Sequence, residues 1–277
     1  MIKMIAIDLD GTLLNRHKKI PAENIKAIQK AAQEGIKIVL CTGRPQSGVE
    51  PYFKDLDLGH QAEYAVLNNG CSTHQIEKGK WELLSYHELS LDDIQGLERL
   101  IAQNHQIELT LTEANHFLVM GQSVSDLVAY DASLVFTKAK PISFKGLKAL
   151  KTPIFQAMYM GEEANLDQFE RSVDDRLSSQ FSTVRSQSYL YEVMPKGITK
   201  ASGLKALAEH LLINPRDIMA IGDAPNDLEM LSFAGLSVAM GNASESIRQA
   251  ADKVSLTNDE AGVAYAIETW ALGSNDV

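Results

Sequence analysis

Apolar residues in this chain gather in two kinds of run. Short, nearly unbroken runs at Met4–Ile7, Ile36–Leu40, Tyr64–Leu67, Ile218–Ile221 and Leu236–Ala239 read as strands covered on both faces. Longer runs with helical spacing lie between them. Pro21–Glu34 sets Ile25, Ile28 and Ala32 on one side, with Pro21 near its start and Gly35 stopping it. A helix is expected from near Pro45. Others are expected over Thr199–Leu212 (Leu204, Leu207 and Leu211 aligned), Ala224–Phe233, Ser244–Ala250 and Glu260–Trp270, with a short strand at Lys253–Ser255. Strands alternating with helices imply right-handed crossovers and a parallel sheet. Both ends of the chain therefore predict pieces of one α/β domain, a doubly wound parallel-sheet (Rossmann-like) core.

The middle follows another pattern. It begins around Trp81–Ser85 and continues with helix Leu91–Gln103 and the alternating runs Ile107–Thr112 and His116–Met120. Helical segments near Ser123–Asp131 and Ser143–Leu150 follow, then strand Pro153–Met160, helix Asn165–Leu177, and strands Phe181–Arg185 and Tyr189–Met194. Strands without intervening helices predict an antiparallel sheet in an α+β domain. The simplest arrangement is an insertion: a core of residues 1–83 and 190–277 interrupted by a cap of residues 84–189, with crossings near 84 and 190.

Composition narrows the class. In 277 residues, 45% are hydrophobic and 22% charged, ordinary for a globular protein and enough for two cores. No stretch approaches the roughly 18 apolar residues of a membrane span, and no secretory pattern opens the chain. A cytoplasmic location with no membrane partner is expected. Cys41 and Cys71 lack zinc or redox spacing and are expected to stay reduced. A net charge of −10 without a dense basic cluster argues against nucleic acid as a partner. It also means that any phosphate ligand must be held by a local field.

Four segments carry candidate chemistry. The first strand runs into Asp8-Leu9-Asp10-Gly11-Thr12, whose two acids, one residue apart on a strand, share a face. At the carboxyl end of a parallel strand that face opens on the ligand crevice. Two carboxylates there repel unless a hard cation such as Mg²⁺ sits between them. An Asp/Gly surface turn is the plainer alternative. A calcium loop is excluded, because the twelfth position from Asp8 is Lys19 rather than Glu. After the second strand, Thr42 and Gly43 precede a helix, where a hydroxyl and close backbone can bind anions; a simple N-cap threonine reads equally well. Lys200 opens the helix after Met194-Pro195-Lys196-Gly197-Ile198-Thr199, and either lysine could neutralise phosphate, Lys196 being the weaker candidate. Strand Ile218–Ile221 ends in Gly222-Asp223-Ala224-Pro225-Asn226-Asp227. Asp223 there matches Asp8 in position; Asn226 could touch phosphate and Asp227 could hold a metal-bound water or orient Lys200, though all are also ordinary capping residues.

Together the segments DLDGT, LCTGR, Lys200 and GDAPND resemble the four signature motifs of the haloacid dehalogenase-like phosphohydrolase superfamily. The placement of the insertion and the LNNG and VAMGNA segments resemble its Cof-type subfamily. The resemblance implies a Mg²⁺-dependent phosphatase acting on small phosphorylated metabolites, such as sugar phosphates, through an aspartyl-phosphate. In it, Asp8 is the nucleophile and Asp10 the proton donor and acceptor. Asp8, Asp10 (through its backbone carbonyl) and Asp223 hold the metal. Thr42, Gly43, Lys200 and Asn226 hold the phosphoryl group, with Asp227 behind them. The cap selects the substrate. Arg44, Tyr189, Tyr191 and Glu192 could reach a leaving group, but ordinary packing or solvation is the preferred reading for each. Asn242-Ala243-Ser244 matches a glycosylation sequon, without meaning for a cytoplasmic protein. A phosphomutase, or a phosphometabolite-binding regulator without turnover, are the competing readings. The protein is expected to act as a monomer or homodimer.

Overall fold

The computed structural model describes residues 1–59, 63–114 and 116–273. The chain opens with β1 (Met4–Asp8), α1 (Ala22–Gln33), β2 (Lys37–Cys41), α2 (Glu50–Leu56), β3 (Glu63–Leu67), β4 (Ser72–Glu77) and β5 (Lys80–Tyr86). The middle contributes α3 (Leu91–Leu100), β6 (Glu108–Thr112), β7 (Phe117–Met120), α4 (Asp126–Leu134), β8 (Ala139–Ile142), α5 (Phe144–Ala149), β9 (Gln156–Met160), α6 (Glu163–Gln180), β10 (Phe181–Gln187) and β11 (Leu190–Pro195). The chain continues with α7 (Lys200–His210), β12 (Ile218–Gly222), α8 (Leu228–Phe233), β13 (Leu236–Ala239), α9 (Glu245–Ala250), β14 (Lys253–Val254) and α10 (Gly262–Ala266). These elements form two compact units. One comprises residues 1–43, 51–85 and 199–277 and the other residues 44–50 and 86–198.

The first unit is built on an eight-stranded sheet of order β14-β13-β12-β1-β2-β3-β4-β5. Strands β14 through β3 pair in parallel, and β3 pairs with β4 in antiparallel fashion. β1, β3 and β12 are buried at every position, which is why they read as unbroken apolar runs. The chain builds outward from β1 on one side and returns to build from β12 on the other. The β1/β12 boundary is therefore the point where the order reverses, and α/β sheets of this kind place ligands at such a point. On one face, Met4, Ala6, Val39, Tyr64, Val66, Leu204, Leu207 and Met230 pack into a single cluster. α1 lays Ala27, Ile28, Ala31 and Ala32 into the interior; of the face expected from the sequence, Ile28 and Ala32 are buried and Ile25 is half-buried.

The second unit holds a six-stranded sheet, order β10-β11-β9-β6-β7-β8, antiparallel except for β7 with β8. Leu109, Leu111, Ala157, Tyr159, Tyr191 and Val193 face one apolar cluster with Leu97, Leu166 and Phe169. Phe117, Val119, Met158, Met160 and Leu190 face another with Val128 and Ala132 of α4.

Several sequence expectations change. The second crossing does not fall near 190: β11 lies between β10 and β9, so its residues pair within the six-stranded sheet. β5, with its predicted counterpart at Trp81–Ser85, lies at the edge of the core sheet beside β4, which the sequence reading did not identify. Residues 44–50 group with the second unit. The predicted helix from near Pro45 starts as a 3₁₀ turn over Gln46–Gly48. The predicted Glu260–Trp270 helix is interrupted because Ala261 adopts a left-handed conformation (φ 55°).

Candidate active site

Asp8 is the last residue of β1. It pairs with Cys41 of β2, while its neighbour Ile7 pairs with Ile221 of β12. Three of the four sequence segments thus end side by side at one edge of the sheet. The chain leaving β1 curls tightly, with Leu13 N–H donating to the Asp8 carbonyl (3.2 Å) and Leu14 N–H to that of Leu9 (2.9 Å).

The fourth segment reaches this edge through α7. Thr199 caps the helix, its side chain accepting from the Ser202 N–H, so Lys200 is the first helical residue. Two glycines let the helix start come this close. A β-carbon on Gly70 (φ 99°) would lie 2.1 Å from the Thr199 carbonyl oxygen, and one on Gly203 would lie 2.6 Å from Val66 Cγ1. Lys200 Nζ then donates to Asp8 Oδ1 (2.6 Å) and Asp227 Oδ1 (2.8 Å), all three side chains being buried.

Asp227 was expected at the start of a helix over Ala224–Phe233. The segment is instead a 3₁₀ turn, Pro225–Asp227, with α8 following. The reason is local: Asp227 Oδ2 folds back to accept the backbone N–H groups of Asp223 (3.1 Å) and Ala224 (3.0 Å). Both Asp227 oxygens are thereby engaged, one with Lys200 and one with the backbone. Asp223 stands beside it. Thr12 Oγ1 donates to its Oδ1 (2.9 Å), and Gly11 (φ 85°) leaves room for its carboxylate.

Asp8, Asp223 and Asp227 each present a carboxylate oxygen within 4.8 Å of the others. One ammonium faces three acids, and the electrostatics show the imbalance. Burial pushes the Asp8 carboxyl well above the usual range, the charges of Asp227 and Asp223 add to this, and Lys200 opposes it. Burial and Asp227 push Asp223 up to about 6 against the pull of Thr12. Burial works against the Lys200 ammonium, but Asp227 and Asp8 outweigh it and hold the lysine above its ordinary value. Asp8 Oδ2 is buried with no hydrogen-bond partner. A buried acceptor without a donor, in a nest of acids, has the chemistry of a hard-cation site.

The remaining expected residues lie around this centre. Asp10 is half-exposed, and Lys18 Nζ sits 2.7 Å from its Oδ1. Thr42 is buried; its N–H donates to the Val66 carbonyl (2.9 Å) and its carbonyl accepts from Asn69 N–H (3.1 Å). Gly43 passes so near Asn69 that a β-carbon would lie 3.1 Å from the Asn69 amide. Asn226 Nδ2 donates to Asn69 Oδ1 (3.4 Å). Thr42, Gly43 and Asn226 therefore meet at one residue, Asn69, which the sequence reading held only within the LNNG segment and gave no role. Its signal was the Asn68-Asn69-Gly70 run after a buried strand. All three residues adopt positive φ, a conformation Asn and Gly tolerate best.

Two further candidates, Lys196 and Arg44, have backbone carbonyls as partners. Lys196 donates to the Ser178 carbonyl and, at 3.5 Å, to that of Phe181, at the carboxyl end of α6. Arg44 belongs to the second unit, where Nη1 donates to the carbonyls of Gly48 (3.3 Å) and Leu134 (3.1 Å). Tyr191 Oη donates to Asp174 (2.6 Å), and Glu192 accepts from Gln156 (3.3 Å) inside the second unit. Among the described residues no helix is long and apolar enough to cross a membrane.

Known proteins share this architecture along its length. The haloacid dehalogenase-like hydrolase family matches residues 5–267. YxeH of Bacillus subtilis is 32% identical, over 98% of this chain and 99% of its own. The 5-amino-6-(5-phospho-D-ribitylamino)uracil phosphatase YwtE of the same organism is 30% identical, over 98% and 99%. The crystal structure of a haloacid dehalogenase-like hydrolase from Bacteroides thetaiotaomicron superposes with a TM-score of 0.85 at 32% identity, covering 97% of this chain and 99% of that one. The resemblance carried by the four motifs is thus borne out: the chain belongs to the haloacid dehalogenase-like hydrolase family, as an enzyme of the phosphoric monoester hydrolase class.

Proposed function

We propose that this protein is a cytoplasmic, Mg²⁺-dependent phosphatase for small phosphorylated metabolites, sugar phosphates among them, working as a monomer or homodimer. Asp8 attacks phosphorus and forms an aspartyl-phosphate while the P–O bond to the leaving alcohol breaks. Asp10 gives that alcohol a proton and later takes one from the water that hydrolyses the intermediate. Lys200, with Thr42, Gly43 and Asn226, holds the phosphoryl oxygens, and Asp227 keeps the lysine aimed. Asp8, the Asp10 carbonyl and Asp223 would hold Mg²⁺, which when bound neutralises charge on the carboxylates and the phosphoryl group. The inserted unit selects the leaving group. YwtE is named for a substrate whose phosphate sits on a ribityl chain, which favours polyol and sugar phosphates here too.

The observation that carries this reading is the state of Asp8: one oxygen held by Lys200 at 2.6 Å, the other buried without a donor. Asp8→Asn removes the nucleophilic oxygen and leaves the packing intact. Turnover of p-nitrophenyl phosphate with Mg²⁺ is expected to fall at least roughly a thousandfold. Equal rates in the two proteins would reject the mechanism. Release of free inorganic phosphate from a sugar phosphate, rather than an isomeric sugar phosphate, separates the phosphatase from a mutase.

A further inference from the structure

Asn242 entered the sequence reading as part of VAMGNA and as the first residue of a sequon, with no role of its own, yet it stands where several loops meet. Its Nδ2 donates to the Gly11 carbonyl (2.9 Å) and, in a longer contact, to Asp223 Oδ2 (3.4 Å). Its Oδ1 accepts the Asn258 N–H (3.0 Å), and Asn258 Nδ2 in turn donates to the Leu14 carbonyl (2.8 Å). Thr12 Oγ1 donates to the opposite oxygen of the same carboxylate. Gly11 closes the third side: a β-carbon there would lie 2.4 Å from Asp223 Oδ2. Asp223 thus has one side-chain donor on each oxygen, from loops that follow β1 and β13. A carboxamide suits the second role, since it offers two N–H donors and one acceptor in a single plane. A hydroxyl at 242 would be too short to span both contacts, and a carboxylate would face two acceptors.

The geometry points to Asn242 as a positioning residue for Asp223, one that sets the direction in which this carboxylate meets a divalent cation. The inference rests on the metal reading given above. Groups that orient metal ligands change affinity by about 10- to 100-fold when removed, although they touch no metal themselves. A residue that only staples loops would change melting temperature and leave cation affinity alone.

The test is Mg²⁺ binding to the full chain by titration calorimetry, with no substrate present. Asp223→Asn is expected to abolish the binding heat. Asn242→Ala is expected to raise the Mg²⁺ Kd about tenfold. Ser244→Ala, in the same tripeptide but with its hydroxyl bonded to Ser246 Oγ (3.0 Å), is expected to leave Kd unchanged. If Asn242→Ala does not fold, Asn242→Ser carries the same expectation. An Asn242 variant within twofold of wild type, beside a silent Asp223→Asn, overturns this inference and spares the metal reading. Equal weakening by Ser244→Ala also overturns it, since the effect then belongs to the loop. Undiminished binding by Asp223→Asn removes both readings.

Discussion

Each unit of this protein holds one cation between two carboxylates, and the two triads live under different rules. In the core unit Lys200 lies between Asp8 and Asp227, with side-chain exposures of 3%, 5% and 0%. In the inserted unit Arg185 lies between Asp167 and Glu170, with exposures of 20%, 45% and 28%. The Coulomb attraction is similar in kind, but solvent screens it in the exposed second triad far more than in the buried first. The buried triad is also unbalanced, because Asp223 adds a further acid nearby. Arg185 has ample compensation, donating also to the carbonyls of Gln187 and Ser188, where it closes the bulged β10–β11 hairpin. One cation between two acids thus makes a buried, charge-unbalanced cluster in one unit and an exposed brace in the other. Burial and the ratio of charges decide which.

The strongest way to break the comparison is to remove the buried cation. Lys200→Met keeps an unbranched side chain one atom shorter and leaves Asp8 and Asp227 facing each other without a counter-charge. Breaking one partner out of a buried pair costs about 3–5 kcal/mol. The value here belongs near the lower end, since Asp8 already tends toward its neutral form. Urea denaturation at neutral pH, without added Mg²⁺, measures it. A loss below about 1 kcal/mol would mean that water reaches the triad and that it differs little from the exposed one.

How much of this was readable beforehand follows from the same physics. Asp8, Thr42 and Asp223 end apolar strands, and Lys200 opens an amphipathic helix. A charge or hydroxyl at the end of a buried run is a break in pattern that one sequence can show. Asn69 and Asn242 carry no charge, and LNNG and VAMGNA, the segments that hold them, say nothing of what either residue touches. Their roles exist only once chain segments 157 and 231 residues away are brought beside them. The edge strand β5, exposed at most positions, lacks the burial signal that marked β1 and β12, which is why its sheet was misassigned. The boundary near 190 failed for a related reason. β11 is as apolar as a core strand, and only its pairing with β10 and β9 tells which sheet it completes.

The core buries a second base by the opposite device, and pH sharpens the contrast. Lys200 is kept charged by two acids, whereas His74 is kept neutral by burial alone, which lowers its pKa to about 4. Its Nε2 lies 3.1 Å from Ser72 Oγ, which accepts from Asn68 Nδ2 (3.1 Å) beneath the turn that carries Asn69. The unfolded chain takes up a proton at this residue near pH 6.5, and the folded chain resists until about pH 4. Stability is therefore complete above pH 6.5 and is lost as pH falls toward 4. Denaturation midpoints should show wild type losing on the order of 2 kcal/mol more than His74→Gln over that interval. Parallel pH profiles for the two proteins would mean that His74 takes up its proton in the fold as readily as in the unfolded chain.

The smallest effect is expected at the exposed triad, and its smallness is what gives the comparison force. Arg185→Ala removes the cation from Asp167 and Glu170, but both acids have water to turn to, and neither is left as a buried charge. Pairs of this kind are worth about 0–1 kcal/mol. The hydrogen bonds to Gln187 and Ser188 add to the loss, because hairpin carbonyls lose a charged donor, so a total of about 1 kcal/mol is expected. Added salt separates the two triads further. At about 1 M salt, screening acts over roughly 3 Å, so the Arg185→Ala loss should shrink while the Lys200→Met loss stays nearly constant. If instead both losses fall in parallel with salt, the buried triad is exchanging with solvent. The contrast between a centre and a brace would then have to rest on chemistry alone.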